Sequence, residues 1–116
     1  MLSGIHHVSI NVRDVGEAER FYVEILGLEV LPRPDLGFPG LWLRAGDQEV
    51  HLLGIDSGRP PAEQHFAFGV ADLASLRAEL GRRGLAVSEP AAIEGVCLQA
   101  FTRDPSGNLL EFNQRI

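Results

Sequence analysis

The stretch His7-Val8-Ser9-Ile10-Asn11-Val12-Arg13-Asp14 decides how the chain is interpreted. Its polar and apolar residues alternate, which is typical of a strand that buries one face. The histidine, serine and asparagine therefore share the face opposite the three apolar side chains. A similar stretch, His65-Phe66-Ala67-Phe68-Gly69-Val70-Ala71-Asp72, opens the second half. Each copy begins with a histidine and ends with an aspartate that starts a helical pattern, so the pattern predicts a duplicated structural unit.

The rest of each half follows the same order of predicted elements. The first half begins with a strand at 5–12, followed by a helix that starts at the N-cap Asp14 and ends at Gly27, with Glu17 as the capping-box partner of Asp14. Strands at 28–31, 41–44 and 49–53 follow, with a loop at 32–40. The second has a strand at 64–70, a helix from Asp72 to Gly84, and strands at 85–88, 98–103 and 109–113, with a loop at 90–95.

This order predicts an α+β fold in which two βαβββ modules form curved mixed sheets around a central cavity, with the helices outside. At 116 residues the chain is expected to be a single domain. We assign module 1 to residues 1–54, the linker to 55–63 and module 2 to 64–116.

Composition excludes several classes of function. The net charge is −6, and all ten basic residues are arginine. An acidic chain without a basic cluster is a poor nucleic-acid binder, and a chain without lysine cannot form a lysine Schiff base. No apolar run is long enough for a membrane span, and no signal peptide is evident. The single cysteine, Cys97, is interpreted as a small core residue, and a cytoplasmic location is expected.

The repeat selects four polar residues for chemistry: His7, His51, His65 and Glu111. The offset between the halves places His7 on His65 and His51 on Glu111, all on strand faces opposite the apolar side chains. Buried imidazoles and carboxylates are costly unless they are paired or bound to a metal. Three imidazoles and one carboxylate are a common ligand set for a divalent transition metal, so we interpret the four as a metal site. A lone histidine in a strand is more often a packed or surface residue, and His6 is expected to be one, facing away from His7.

Other residues are weaker candidates for substrate binding. Trp42 is expected to line a pocket, with core packing as the alternative. Ser9 and Asn11 share a face with the first histidine and have hydroxyl and amide groups for a ligand or for water. Arg44 and Arg103 lie near strand ends and suit an anionic substrate, although solvated arginines are the commoner case.

Several motifs together resemble the vicinal oxygen chelate superfamily. They are Gly4-Ile5-His6-His7-Val8, the Asp14 helix with Phe21-Tyr22 and Leu26-Gly27-Leu28, Gln64-His65-Phe66-Ala67-Phe68, and Asp104-Pro105-Ser106-Gly107-Asn108-Leu109-Leu110-Glu111. This superfamily includes glyoxalase I, methylmalonyl-CoA epimerase, fosfomycin and bleomycin resistance proteins, and extradiol dioxygenases. The resemblance covers nearly the whole chain.

The resemblance implies metal positions at His7, His65 and Glu111, with His51 at the fourth position, where glyoxalase I usually has glutamate. It also implies a homodimer, a small-molecule substrate and a bound zinc, nickel, cobalt, manganese or iron ion. The function that it implies is glyoxalase- or epimerase-like lyase or isomerase chemistry, with Glu111 as the catalytic proton carrier. Two alternatives stay open: a binding protein for a small molecule or antibiotic, as in bleomycin resistance, and an iron-dependent ring-cleaving dioxygenase.

Overall fold

The computed structural model describes residues 1–116 and divides into two compact units, Met1–Arg59 and Pro60–Ile116. The N-terminal unit contains β1 (His7–Asn11), α1 (Val15–Glu19), a π-helical segment (Arg20–Ile25), β2 (Glu29–Leu31), β3 (Gly40–Ala45) and β4 (Gln48–Leu53). The C-terminal unit contains β5 (His65–Gly69), α2 (Leu73–Arg82), β6 (Ala91–Ile93), β7 (Cys97–Arg103) and β8 (Leu109–Arg115).

Both units form the same kind of four-stranded mixed sheet. The strand orders are β1-β4-β3-β2 and β5-β8-β7-β6. The pairs β1–β4 and β5–β8 are parallel, and the other neighbours are antiparallel. The predicted α+β class with two βαβββ modules is therefore confirmed. The central cavity and the single-domain boundaries stay predictions.

Alternation along the strands separates an apolar face from a polar face in each sheet. Val50 and Leu52 of β4 are almost wholly buried, as are Leu110 and Phe112 of β8. The helices α1 and α2 contact the two central strands of their own sheets, β3–β4 and β7–β8. Cys97 is buried in the core as predicted. His51 and Glu111 lie between these apolar residues, so they point to the opposite face.

The first helix begins where the sequence predicts but changes its hydrogen-bonding pattern within two turns. The Oδ1 atom of Asp14 accepts the backbone N–H of Glu17 at 2.9 Å, which confirms the N-cap. The predicted capping box is wrong in its second half, because the Glu17 carboxylate pairs with Arg13. From Arg20 to Ile25 the helix is a π-helix rather than the predicted α-helix, and Phe21 accepts a bond from the N–H five residues later.

The predicted strand at 85–88 is wrong, and the edge strand β6 instead lies at Ala91–Ile93, inside the predicted loop. The reason is that side chains replace part of the backbone ladder beside β7. The Ser88 hydroxyl accepts the N–H of Phe101 at 2.8 Å, and the Thr102 hydroxyl donates to the Ala86 carbonyl at 2.9 Å. The segment is thus attached to β7 without the regular pairing of a strand.

No helix of the chain is both long and apolar enough to cross a bilayer.

The second helix depends on a cap that should make stability sensitive to acid. The Asp72 carboxylate accepts the Ser75 backbone N–H at 3.1 Å and its hydroxyl at 2.9 Å. These bonds, the backbone one foremost, hold the pKa of Asp72 below its ordinary value. A lowered carboxyl pKa contributes stability that is fully present above the ordinary value, near pH 4, and is lost as the pH falls through the folded value.

We therefore expect Asp72→Ala to lower the urea midpoint at pH 7, with a difference from the parent that shrinks below about pH 4. Asp72→Ser is the control, since its hydroxyl caps the helix but does not titrate in this range. A parent-to-alanine difference that stays constant from pH 7 to pH 3 would contradict the assignment.

Candidate functional site

The predicted metal ligands occur as two pairs, one in each unit. The His7 and His51 rings stack in the N-terminal unit, and His65 bonds to Glu111 in the C-terminal unit. The two pairs occupy equivalent positions. Ser9, two residues after His7, lies opposite His51 in the register of β1 and β4, and Ala67, two residues after His65, lies opposite Glu111 in the register of β5 and β8. Neither unit gathers three or more histidine, cysteine, aspartate or glutamate side chains into a group that could hold a metal ion. Each unit thus supplies two of the four predicted ligands.

In the N-terminal unit three rings stack across three neighbouring strands. Trp42 of β3 lies directly opposite His51 of β4, and their ring centroids are 4.5 Å apart at an interplanar angle of 11°. The His7 ring of β1 stacks on the same imidazole, with centroids 4.0 Å apart at 16°. His51 is only 7% exposed because it has an aromatic ring on each side. The predicted pocket role of Trp42 stays a prediction, but its ring contacts a candidate ligand.

Glu49 belongs to the same cluster and was missed by the sequence analysis. Its Oε1 atom lies 2.9 Å from His51 Nε2, two residues along the same strand face. The hydrogen bond from His51 is the main reason why the pKa of Glu49 lies below its ordinary value. An ionised carboxylate only accepts, so Nε2 of His51 carries the proton and, in the neutral ring, Nδ1 keeps its lone pair. The period of two could have identified Glu49.

His6 also takes part, contrary to the prediction that it faces away. Its Nδ1 atom lies 2.9 Å from Nδ1 of His7, and the two rings meet edge to face. The alternation rule does not apply to His6, because β1 begins only at His7. Burial, followed by the charges of His51 and His6, lowers the pKa of His7. The His7 imidazole is therefore biased toward the neutral form that metal ligands require.

In the C-terminal unit a histidine and a carboxylate face each other on neighbouring parallel strands. Nε2 of His65 lies 3.1 Å from Oε1 of Glu111, and the Asn113 amide donates to the other carboxylate oxygen at 2.8 Å. The edge of the Phe101 ring packs against the imidazole, with centroids 5.6 Å apart. Glu111 is only 7% exposed, so its carboxylate is largely removed from water.

The hydrogen bond of the other ring nitrogen, Nδ1, determines which nitrogen of His65 carries the proton in the neutral ring. Nδ1 lies 2.9 Å from the Glu63 carbonyl oxygen, which can only accept, so Nδ1 carries a proton. In the neutral ring, Nε2 then presents a lone pair to the Glu111 carboxylate, and two acceptors repel each other. A second proton or a cation relieves this repulsion. The bond to Glu63, followed in its effect by the bond to Glu111, accordingly raises the pKa of His65.

Register shows which residues of the two units correspond. The equivalent of Trp42 in the C-terminal unit is Phe101, which lies opposite Glu111 as Trp42 lies opposite His51. Phe101 and Asn113 were not identified from the sequence. Asn113 shares the face of Glu111 by alternation along β8, whereas Phe101 is recognised only once the hairpin register is known.

The remaining predicted residues are bonded within their own units. Asn11 donates to Ser57 at 3.0 Å. Arg44 pairs with Glu29 at 3.2 Å, and Arg103 donates to the Gly107 carbonyl at 2.9 Å. Ser9 lies beside His51 through the strand register. A role of Ser9, Asn11, Arg44 and Arg103 in substrate binding stays a prediction.

Comparison with known proteins gives one consistent family. Residues 4–112 match the model of the Glyoxalase/Bleomycin resistance protein/Dioxygenase superfamily. "Glyoxylase I 4" of Arabidopsis thaliana is 28% identical over 95% of this chain and 70% of its own length. "Glutathione transferase FosA" of Serratia marcescens is 31% identical over 97% of this chain and 82% of its own length. The crystal structure of a putative glyoxalase family protein from Bacillus anthracis superimposes with a TM-score of 0.90 at 28% identity, covering 100% of this chain and 98% of that one.

Proposed function

The chain belongs to the Glyoxalase/Bleomycin resistance protein/Dioxygenase superfamily, and from this premise we propose that it is a metal-dependent enzyme that moves a proton on a small oxygenated substrate. We propose His7, His51, His65 and Glu111 as the ligands of a divalent transition metal, contributed by one chain or by two chains of a homodimer. Lyase or isomerase chemistry is the proposed class of reaction.

The observation that carries this proposal is the close approach of His65 and Glu111 in the C-terminal unit. Nε2 of His65 lies 3.1 Å from a carboxylate oxygen of Glu111, and in the neutral ring this nitrogen has no proton because Nδ1 donates to the Glu63 carbonyl. Two donors that each bind one ion at about 2.1 Å lie roughly 3 Å apart when they are at right angles to each other. The pair therefore has a spacing that suits one shared cation.

The nitrogens of all three histidines fit the same interpretation. One ring nitrogen of each is held by a neighbour: Nδ1 of His65 by the Glu63 carbonyl, Nε2 of His51 by Glu49, and Nδ1 of His7 by His6. Metal-binding histidines usually have one nitrogen oriented in this way, which fixes the ring and leaves the other nitrogen for the ion. Imidazole and carboxylate ligands suit zinc, nickel, cobalt, manganese or iron.

A bound divalent ion would supply Lewis acidity toward two neighbouring oxygens of the substrate. Glu111 would move the proton, because a carboxylate within hydrogen-bond reach of a carbon acid can accept its proton and return it. Asn113 holds the second oxygen of that carboxylate and so fixes its orientation. Trp42 and Phe101, one beside each candidate pair, would limit the access of water.

The first test is metal binding by the whole chain. Metal-free protein is titrated with Mn²⁺, Co²⁺, Ni²⁺ and Zn²⁺ by calorimetry, and bound metal is quantified after dialysis. We expect His65→Gln to weaken binding by about 100-fold, because it removes the bare imidazole nitrogen. Glu94→Gln, at an exposed position of the same unit, is a control that keeps the four proposed ligands and their hydrogen-bond partners. Equal affinity in the parent and in His65→Gln would contradict the site.

The second test is proton transfer. The metal-loaded protein is incubated in D₂O with α-hydroxy ketones, α-hydroxy thioesters and thiol adducts of 2-oxoaldehydes, and NMR follows exchange of the proton next to the carbonyl. Metal-dependent exchange supports the proposal. Small-molecule binding that a chelator does not affect would favour the antibiotic-binding alternative. Oxygen uptake with catechols and ferrous iron would favour the dioxygenase.

A further inference from the structure

A cavity of about 420 Å³ lies in the C-terminal unit beyond the Glu111 pair. It is formed at the ends of the parallel strands β5 and β8 and at the connection that leads into α2. Its lining consists of Ala67, Gly69, Val70, Ala71, Asn113, Gln114 and Arg115. The volume falls within the range of pockets that bind small molecules.

Small side chains leave this space open. Ala67 lies opposite Glu111, and Gly69 lies opposite Asn113, in the parallel register of β5 and β8. A Cβ atom added at Gly69 would meet no atom within 4 Å, so the cavity is open at that position. The β5 residues that line the cavity therefore have small side chains, and the polar atoms of the lining come mainly from β8.

Residues that line the cavity lie on the same face of β8 as the candidate catalytic carboxylate of Glu111. Glu111, Asn113 and Arg115 follow one another on the same face of β8. Asn113 donates to Glu111 and also lines the cavity. Two residues of a strand advance about 7 Å, so Arg115 lies roughly 13 Å along β8 from Glu111. A ligand that reaches both residues must be extended.

Arg115 gives the cavity its charge. The other four arginines of the C-terminal unit bond to carboxylates or backbone carbonyls: Arg77, Arg82, Arg83 and Arg103. Arg115 is exposed to solvent, and its guanidinium makes no hydrogen bond or ion pair within the chain, although the chain carries a net charge of −6. A guanidinium without a carboxylate partner is suited to hold a carboxylate or a phosphate by paired N–H···O bonds.

We propose that this cavity binds an anionic group, a carboxylate or a phosphate, at the far end of an extended substrate whose reacting end lies at Glu111. The proposal deepens the proposed function and rests on it for the position of the reacting end. It narrows the substrate class to acids or phosphate esters that carry their oxygenated reacting centre some distance from the anion.

The test uses the whole metal-free chain, with inorganic phosphate and, separately, acetate as probes. Amide resonances are followed by ¹⁵N NMR at constant ionic strength. We expect saturable shifts at residues 67–71 and 113–115, and at least tenfold weaker binding in Arg115→Gln, because a charged hydrogen-bond donor is removed. Arg59→Gln makes the same change of charge in the other unit and should bind as the parent does.

Binding of only one probe supports the proposal and identifies the anion class. If Arg115→Gln and Arg59→Gln weaken anion binding equally, the proposal is overturned, because the loss then reflects the net charge of the chain and not a contact with Arg115. Shifts confined to the first turn of α2, or no saturation with either probe, would also overturn it. Neither measurement uses metal or turnover, so this cavity and the metal-dependent reaction can fail independently.

Discussion

Glu111→Gln is expected to lower the rate of proton exchange by about a thousandfold while the fold is retained, since a positioned general base contributes roughly 10²–10⁴-fold. The carboxamide has the same shape as the carboxylate but cannot accept a proton from carbon. Its N–H can donate to the bare Nε2 of His65, so the metal-free variant keeps a favourable contact at the 3.1 Å site. The carboxamide oxygen remains a weaker ligand, so metal affinity should fall much less than turnover.

The measurement is the D₂O exchange rate at saturating metal, with the metal content of each sample determined in parallel. Glu94→Gln is the matched control, because it makes the same change of charge at an exposed position of the same unit. Full metal-dependent exchange in Glu111→Gln would remove Glu111 from the mechanism. A loss of exchange that higher metal concentrations restore would reduce its role to that of a ligand.

The strand faces that carry the candidate ligands could be predicted from the sequence because they depend only on strand alternation and duplication. Residues two apart in a strand share a face, and equivalent strands of a repeated unit take equivalent partners. This was sufficient to place two candidate ligands on one sheet face in each unit, and the structure adds that they meet as the pairs His7–His51 and His65–Glu111.

The neighbours of those ligands could not be predicted, because they depend on the register between strands. A shift of one residue in β7 moves every side chain to the opposite face, so Phe101 is identified as the neighbour of Glu111 only once the β7–β8 register is known. Glu49 is different: it shares a face with His51 by alternation alone, but its equivalent in the other unit is the apolar Leu109, so the repeat does not select it.

The elements that were predicted wrongly are those in which local rules compete with hydrogen bonds made elsewhere. Residues 85–88 have the apolar pattern of a strand, but the Ser88 and Thr102 hydroxyls replace backbone partners there. The π-helical segment likewise keeps a helical apolar pattern, and nothing in that pattern separates it from an α-helix.

Asp104→Ala is expected to lower the free energy of unfolding by about 3 kcal/mol, because a buried carboxylate that organises a turn is lost. Asp104 is 5% exposed and lies in the turn between β7 and β8. Its Oδ1 atom accepts the backbone N–H groups of Ser106 at 2.9 Å and Asn108 at 2.8 Å, and Oδ2 accepts the Asn108 amide at 2.9 Å. Hydrogen bonds to a charged acceptor contribute about 1.5–3 kcal/mol each and do not add fully.

Urea denaturation at pH 7 measures this loss, and two variants show whether it comes from the buried network. Asp104→Asn keeps an acceptor oxygen for the two backbone groups and should cost about 1 kcal/mol. Asp35→Ala removes a similar bond to the N–H of Gly37 in an exposed turn and should change stability by no more than about 0.5 kcal/mol. If Asp104→Ala costs as little as Asp35→Ala, the Asp104 network does not stabilise the turn.

Since this turn sets the register of β8, we also expect Asp104→Ala to weaken metal binding, because it loosens the strand that presents Glu111.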